Sequence, residues 1–478
     1  MIIKLLLVLV LLSVAGTSLY HSFKPLPAGI AYQGNVHPLS DARLLTDRTY
    51  HVGDKTPRLD QEIFDEVLAM IAAARKFILV DMFLFNSTEA QVRNARPLAR
   101  QLTDALIKQR TAYPELELIV ISDPINTLYG GTGSEHFQQL EAAGIPVIQT
   151  RLTPLRDSNP LWSGFWRLCC QWLGNSAQSG WLPNPIGGQS VTLRSYLSLL
   201  NFKANHRKVL VTDAGNSYRA LVTSANPHDG SSHHSNIGLR FGGPAVADLL
   251  TSERAVLVMS GASTRAVDVA LGQISETAPN ENARIQVLTE SAIREAALET
   301  ITTTEQGDQI RLAIFYLSHR DIMEALINAS RRGVDIRVLL DANRDAFGRE
   351  KGGVPNRQAA MELNNNGVAV RWCNTHGEQC HSKLLLRQDT DGRARILLGS
   401  ANFTRRNLDD LNLESDVLVF ADRDHPTIRK AELFFSEQWT SGPGSETVMS
   451  LPYQARADHS KLRYWQYRFM EATGLSTF

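Results

Sequence analysis

The chain has 478 residues, 43% hydrophobic and 21% charged, with 49 Lys plus Arg against 49 Asp plus Glu. That length exceeds the roughly 250–300 residues at which one core stops growing, so two lobes are expected in an ordinary globular composition. The balanced charge excludes a global positive field of the kind that gathers nucleic acid without sequence preference, though not a local basic patch.

In chain order, Lys4 precedes an apolar run over 5–15 and the small residues Gly16, Thr17 and Ser18. Residues 1–20 therefore read as a secretory signal peptide or an uncleaved membrane anchor. An exported, membrane-associated protein is expected, on the periplasmic side of the inner membrane if bacterial. Residues 21–55 read as a linker. A first lobe over 56–245 follows, with helices expected over 59–74, 97–110 and 135–143 and strands over 76–85, 116–122 and 145–150. An insertion over 152–200 carries Trp162, Phe165, Trp166, Trp172 and Trp181. Aromatics in such density suit a membrane interface, a lid packed on its own lobe or a subunit contact. Residues 246–283, rich in Ser, Ala and Thr, are expected to link the lobes.

The same alternation recurs in a second lobe over 284–445. Helices are expected there over 292–302, 322–332 and 356–365, and strands over 310–317, 334–340 and 368–373. The chain reads as a tandem duplication of an α/β unit, each copy a mixed sheet flanked by helices. Residues 446–478 form a C-terminal tail in which Leu462, Trp465, Phe469 and Met470 recur at helical spacing, as in a final helix packed on the core. Adjacent Cys169 and Cys170 are poor partners for each other, and Cys373 and Cys380 are read as packed thiols, with a bridge between them conceivable.

The duplication carries chemistry. His206-x-Lys208 opens one apolar strand and His381-x-Lys383 opens another 175 residues later. Each is followed by a Ser-Ala-Asn triplet, at Ser224-Ala225-Asn226 and Ser400-Ala401-Asn402. Residues two apart in a strand share a face, so each His projects with its Lys. A hairpin turn then returns Ser224 and Asn226, or Ser400 and Asn402, beside them. An imidazole can attack phosphorus or protonate a leaving oxygen, and ammonium and amide groups can hold the negative charge of the transition state. Two such halves provide a nucleophile and an acid on opposite sides of a phosphodiester, and no metal or other cofactor is expected.

These motifs resemble the phospholipase D superfamily, marked by a duplicated HxKxxxxD followed by a Gly/Thr-Ser-x-Asn segment. The first copy matches in His206, Lys208 and Asp213. In the second, Gln388 stands at the Asp position; Asp389 lies 11 residues before Ser400, as Asp213 does before Ser224. A one-residue β-bulge that moves Asp389 into the role is the expected explanation. The resemblance implies that His206 forms a phosphohistidine and that His381 protonates the departing alcohol. It also implies a carboxylate that orients each His. Glu414, 12 residues after Asn402, is expected to serve His381, whereas Gly238 occupies that spacing after Asn226.

Catalytic roles are thus expected for His206, Lys208, Asp213, His381, Lys383 and Asp389, and substrate contacts for Ser224, Asn226, Ser400, Asn402 and Glu414. His228, His233 and His234 follow the first motif and read as exposed loop residues, the alternative being that they line the site or bind a head group. The implied activity is a phosphodiesterase or phosphatidyltransferase on phospholipids, similar to phospholipase D or cardiolipin synthase. Its expected partners are a phospholipid substrate and a membrane surface, with no nucleic acid. An exported metal-independent nuclease and an inactive lipid-binding homologue are the alternatives.

Overall fold

The computed structural model describes residues 1–50, 58–87, 95–184, 188–274, 282–343, 352–440, 447–476 and 478, together with the backbone of 345–346 and 349–350. Its strands, in chain order, are β1 (His37–Pro38), β2 (Ser40–Tyr50), β3 (Arg58–Gln61), β4 (Phe77–Met82), β5 (Glu117–Ser122), β6 (Val147–Gln149), β7 (Lys208–Ala214), β8 (Ser217–Thr223), β9 (Asn236–Gly242) and β10 (Arg284–Thr289). They continue as β11 (Gln309–Ile314), β12 (Asp335–Leu340), β13 (Asp345–Ala346), β14 (Arg349–Glu350), β15 (Ala369–Cys373), β16 (Lys383–Gln388), β17 (Arg393–Gly399), β18 (Ser415–Asp422) and β19 (Ser450–Pro452).

Two large mixed sheets result, ordered β3-β2-β9-β8-β7-β4-β5-β6 and β1-β10-β18-β17-β16-β11-β12-β15-β19. The run β9-β8-β7-β4-β5-β6 matches β18-β17-β16-β11-β12-β15 strand for strand, which is the duplication made visible. In each run the last three strands are parallel and joined through helices, while the HxK strand pairs antiparallel with β4 or β11.

The sheets are buried on both faces. Along β7, Val209 and Val211 enter a core shared by the lobes, while Leu210 enters the core under the helices of its own lobe. Along β16, Leu384 and Leu386 join the shared core and Leu385 packs on the outer side. The helix Ile63–Ala73 shows why the outer layer forms: Ile63, Phe64, Val67, Met70 and Ile71 make one apolar stripe, all buried.

Three expected connecting segments are instead parts of the fold. In the supposed linker over 21–55, β1 pairs with β10 of the second sheet and β2 with β9 of the first, so this stretch crosses between lobes. The supposed inter-lobe linker over 246–283 contains the helices Ala245–Ser260 and Arg265–Leu271, whose Val246, Leu249, Leu250, Val256 and Val267 enter the shared core. In the supposed tail over 446–478, β19 pairs with β15, and the helix Lys461–Thr473 buries Tyr467. Segments 51–57 and 441–446, on which expected boundaries fall, lie outside the described residues, as do 275–281 within the expected inter-lobe linker and 185–187 within the insertion.

The cysteines also differ from expectation, being paired as Cys169–Cys170 and Cys373–Cys380. The Cα atoms of Cys373 and Cys380 lie 6.2 Å apart, within ordinary bridging range.

Candidate active site

Both HxK segments begin where one lobe meets the other. The His206 amide donates to the Leu413 carbonyl at 2.8 Å, and the His381 amide donates to the Ser235 carbonyl at 2.8 Å. Each histidine is therefore clamped to the residue before the other lobe's polar position, Glu414 or Asn236. Buried aspartates fix the preceding residue in both lobes: Asp123 accepts from the Asn205 amide at 2.6 Å and Asp341 from the Cys380 amide at 2.8 Å.

The side chains follow this exchange. His206 Nδ1 lies 2.9 Å from Glu414 Oε2, and His381 Nδ1 lies 3.1 Å from Asn236 Oδ1. An oxygen acceptor places the proton on Nδ1 in each ring, which leaves Nε2 with its lone pair. The pairing expected within the second lobe, Glu414 with His381, is thus corrected: Glu414 serves His206 across the interface. Asn236, not Gly238, is its counterpart. The Ser224 and Ser400 amides donate to the carbonyls of Ile237 and Ser415, which aligns Asn236 with Glu414. The loop between triplet and strand is two residues longer in the second lobe, so counting at constant spacing misses the match.

Ser224 and Ser400 are fully buried and do not face a ligand. Ser224 Oγ donates to Asn236 Oδ1 at 3.0 Å and Ser400 Oγ donates to Glu414 Oε2 at 2.5 Å, so both hold the groups that hold the histidines. Asn407 Nδ2 donates to the other oxygen, Glu414 Oε1. Glu414, completely buried and saturated by these donors, orients a catalytic candidate and is not a substrate contact. Asn226 Oδ1 accepts from the Leu84 amide at 3.3 Å, whereas Asn402 Oδ1 is buried without a hydrogen bond among the described residues.

Lys208 Nζ donates to the His206 carbonyl at 2.5 Å and Lys383 Nζ to the His381 carbonyl at 2.7 Å. Each ammonium sits over a phenyl ring, Lys208 over Phe83 at 5.1 Å and Lys383 over Phe315 at 5.4 Å. The same rings meet the histidines edge-on or tilted, Phe83 with His206 at 4.7 Å and Phe315 with His381 at 5.0 Å. Phe83 and Phe315 fall inside the expected strands over 76–85 and 310–317; their equivalent positions one residue beyond Met82 and Ile314, where the observed strands end, are the signal that reading missed.

The motif aspartates stand elsewhere. Asp213 lies five residues beyond Lys208, about 16 Å along the strand, and accepts from the amides of Arg75, Lys76 and Phe77 to anchor the start of β4. In the second lobe β16 pairs without interruption through Gln388 on both sides, so no bulge exists and the extra residue sits in the following turn. Gln388 is the structural equivalent of Asp213. Asp389 instead pairs with Arg387 at 2.5 Å. Neither aspartate is placed to join the chemistry.

Residues 297–439, all in the second lobe, match the protein-family model described as "Cardiolipin synthase, PLD-like domain". Among solved structures, phosphatidylserine synthase from Haemophilus influenzae superposes with a TM-score of 0.57 at 10% identity, covering 91% of this chain and 94% of that one. A phospholipase D family member, Nuc, from Salmonella typhimurium is 24% identical over 32% of this chain and 91% of its own, with a TM-score of 0.26. No curated protein matches the sequence. The second lobe thus matches a PLD-like domain, and the whole chain shares the fold of phosphatidylserine synthase.

The cluster formed by the two HxK segments is electrostatically unsatisfied. Burial pushes His206 down to about 4, against the opposing charge of Glu414. Burial also takes His381 well below the ordinary imidazole value, reinforced by Lys383, His234 and Lys208, and among the described residues no carboxylate bonds to it. Lys208 is lowered to about 7 by burial, with Glu414, Asp81 and Asp416 opposing. Lys383 falls well below the usual ammonium value through burial and then Lys208. Burial alone would raise Glu414, but His206 and Lys208 outweigh it and hold the carboxyl below its usual range. Buried surroundings that suppress four potential cations favour an anion placed among them.

The loop histidines are buried rather than exposed. His234 stacks obliquely 5.9 Å from His381, and burial pushes it down to about 3 and His228 down to about 4. A further buried group, Arg207, lies between the two motif residues. It meets Glu253 at 3.1 Å and Glu290 at 2.9 Å. Glu290 Oε1 also accepts from the Glu414 amide at 2.9 Å, which couples the β7 entry to the β18 entry.

Proposed function

We propose that this chain is a phosphodiesterase or phosphatidyltransferase that acts on phospholipids through a phosphohistidine, with His206 as nucleophile and His381 as general acid. The crossed, unequal support of the two histidines carries this reading. Glu414 raises the basicity of His206 and stabilises the positive charge that its ring gains on bonding to phosphorus. Asn236 offers His381 a neutral acceptor, so a protonated His381 gives up its proton readily.

In the first step His206 Nε2 forms a bond to phosphorus and the bond from phosphorus to the leaving oxygen breaks. The His381 imidazolium supplies the proton that turns the departing alkoxide into an alcohol. In the second step neutral His381 takes a proton from water or an acceptor alcohol, whose oxygen attacks phosphorus and breaks the N–P bond. Lys208 and Lys383 hold the non-bridging oxygens throughout.

A phospholipid substrate is supported by the cardiolipin-synthase description of the matching family model and by an N-terminal helix long and apolar enough to cross a membrane. Assay of the purified protein with labelled phosphatidylglycerol or phosphatidylethanolamine, with and without glycerol, should yield phosphatidic acid or a glycerol-exchanged lipid. Each of His206→Ala and His381→Ala should lower the rate by about 10³-fold or more, and chelator should not change it. Cleavage of a plasmid control with no lipid product would contradict the proposal.

A further inference from the structure

The insertion over 152–200 and the two ends of the chain converge. The helix Ile2–Phe23 spans 22 residues, about 33 Å of rise, enough for the roughly 30 Å core of a bilayer. Its C-terminal half lies along the insertion helix Pro160–Leu168. Gly164 makes this approach possible, since a Cβ there would overlap the Val14 carbonyl. Ser18 Oγ donates to the Pro160 carbonyl, the Asp157 amide to the His21 carbonyl at 2.9 Å, and Arg156 Nε to the Lys24 carbonyl at 3.0 Å.

The C-terminal helix Lys461–Thr473 abuts the same root, because a Cβ at Gly474 would overlap the Ser158 carbonyl. Large apolar side chains are left uncovered around this junction: Trp172 is 75%, Trp181 70% and Trp465 67% exposed. Phe165 and Leu168 on the insertion helix, and Leu462 and Phe469 flanking Trp465 on one helical face, are exposed as well.

A soluble surface rarely leaves so much aromatic area bare, and tryptophan favours the boundary between headgroups and acyl chains. The apolar helix joined to this surface identifies the missing partner as lipid. We infer that the N-terminal helix is a retained, bilayer-embedded anchor, and that the insertion and C-terminal helix form with it one platform that rests in the membrane interface. Arg167 and Lys203 both grip the buried Asp157, at 2.8 and 2.6 Å, which ties the platform to the strand entry three residues before His206. Docking therefore fixes the height of His206 above the bilayer, whatever its chemistry.

The helix Ile2–Phe23 contains no tryptophan, and five of the seven tryptophans lie in the insertion and the C-terminal helix, so quenched emission reports the platform and not the anchor. The full chain, reconstituted into phosphatidylcholine–phosphatidylglycerol vesicles with brominated acyl chains, should lose about half its tryptophan emission relative to unbrominated vesicles. Each of Trp172→Phe, Trp181→Phe and Trp465→Phe should reduce that loss, and the intact mass of membrane-extracted protein should retain residues 1–23. Equal emission in both vesicles, equal quenching in all three variants, or a mature chain cut before residue 23 would overturn the inference. Cross-linked dimers with unquenched tryptophan would overturn it in favour of a second copy on this face.

Discussion

At His206 and His381 the same ring atom meets different partners, and the difference of one charge separates their roles. Replacing Glu414 by Gln keeps an oxygen for the His206 Nδ1 proton but removes the charge, so turnover should fall by about 10²-fold, short of the roughly 10⁴-fold seen when a triad carboxylate is lost with its tautomer. Because Glu414 raises His206, the acidic limb of kcat/KM should move to lower pH in that variant. A limb that stays in place would show that the carboxylate acts only on shape. The lowered values of His381, Lys383 and Lys208 imply a second result. An anion in the pocket raises all three, so the complex holds more protons than the free protein and affinity falls as pH rises through 7. Titration calorimetry with inorganic phosphate in two buffers of different ionisation heat should show proton uptake at pH 7. Zero exchange or net release would contradict it.

At the scale of elements, the strand entries carry the site. Arg207 is fully buried between Glu253 and Glu290, and Glu290 in turn holds the Glu414 backbone. Arg207→Met would leave two buried carboxylates without their cation, a cost of about 3–5 kcal/mol. Urea unfolding should show that loss; a change below about 1 kcal/mol would mean that the clamp is not a stabilising contact. The sequence makes some of this legible and hides the rest for a physical reason. His206, Lys208, His381 and Lys383 are readable because strand periodicity and duplication act locally. Glu414's partner is hidden because the bond is made to a different strand 208 residues away, and spacing within one lobe carries no information about a crossed contact. Asn236 is hidden by the two-residue difference in loop length. Asp389 misleads because an insertion in a turn and a bulge in a strand leave the same mark on the count, and only the uninterrupted pairing of β16 distinguishes them.

For the whole molecule, the duplicated sheets, the shared core and the doubled motif describe two lobes that are each incomplete. The expectation of two linked lobes falls short because β1 and β2 and the helix Ala245–Ser260 weld them, binding both sheets into one core. The helical spacing of the C-terminal residues is legible as amphipathic, yet its exposed face points away from the core. The central claim is that one lobe attacks phosphorus and the other supplies the proton, and the covalent intermediate tests it most directly. The full chain, quenched in alkaline denaturant, in which a histidine N–P bond survives, during turnover of phospholipid radiolabelled in its phosphate and then digested and mapped at high pH, should carry the label on His206. In His381→Ala the same adduct should still form on a substrate with a good leaving group. Label on His381, or turnover with no phosphohistidine, would contradict the account.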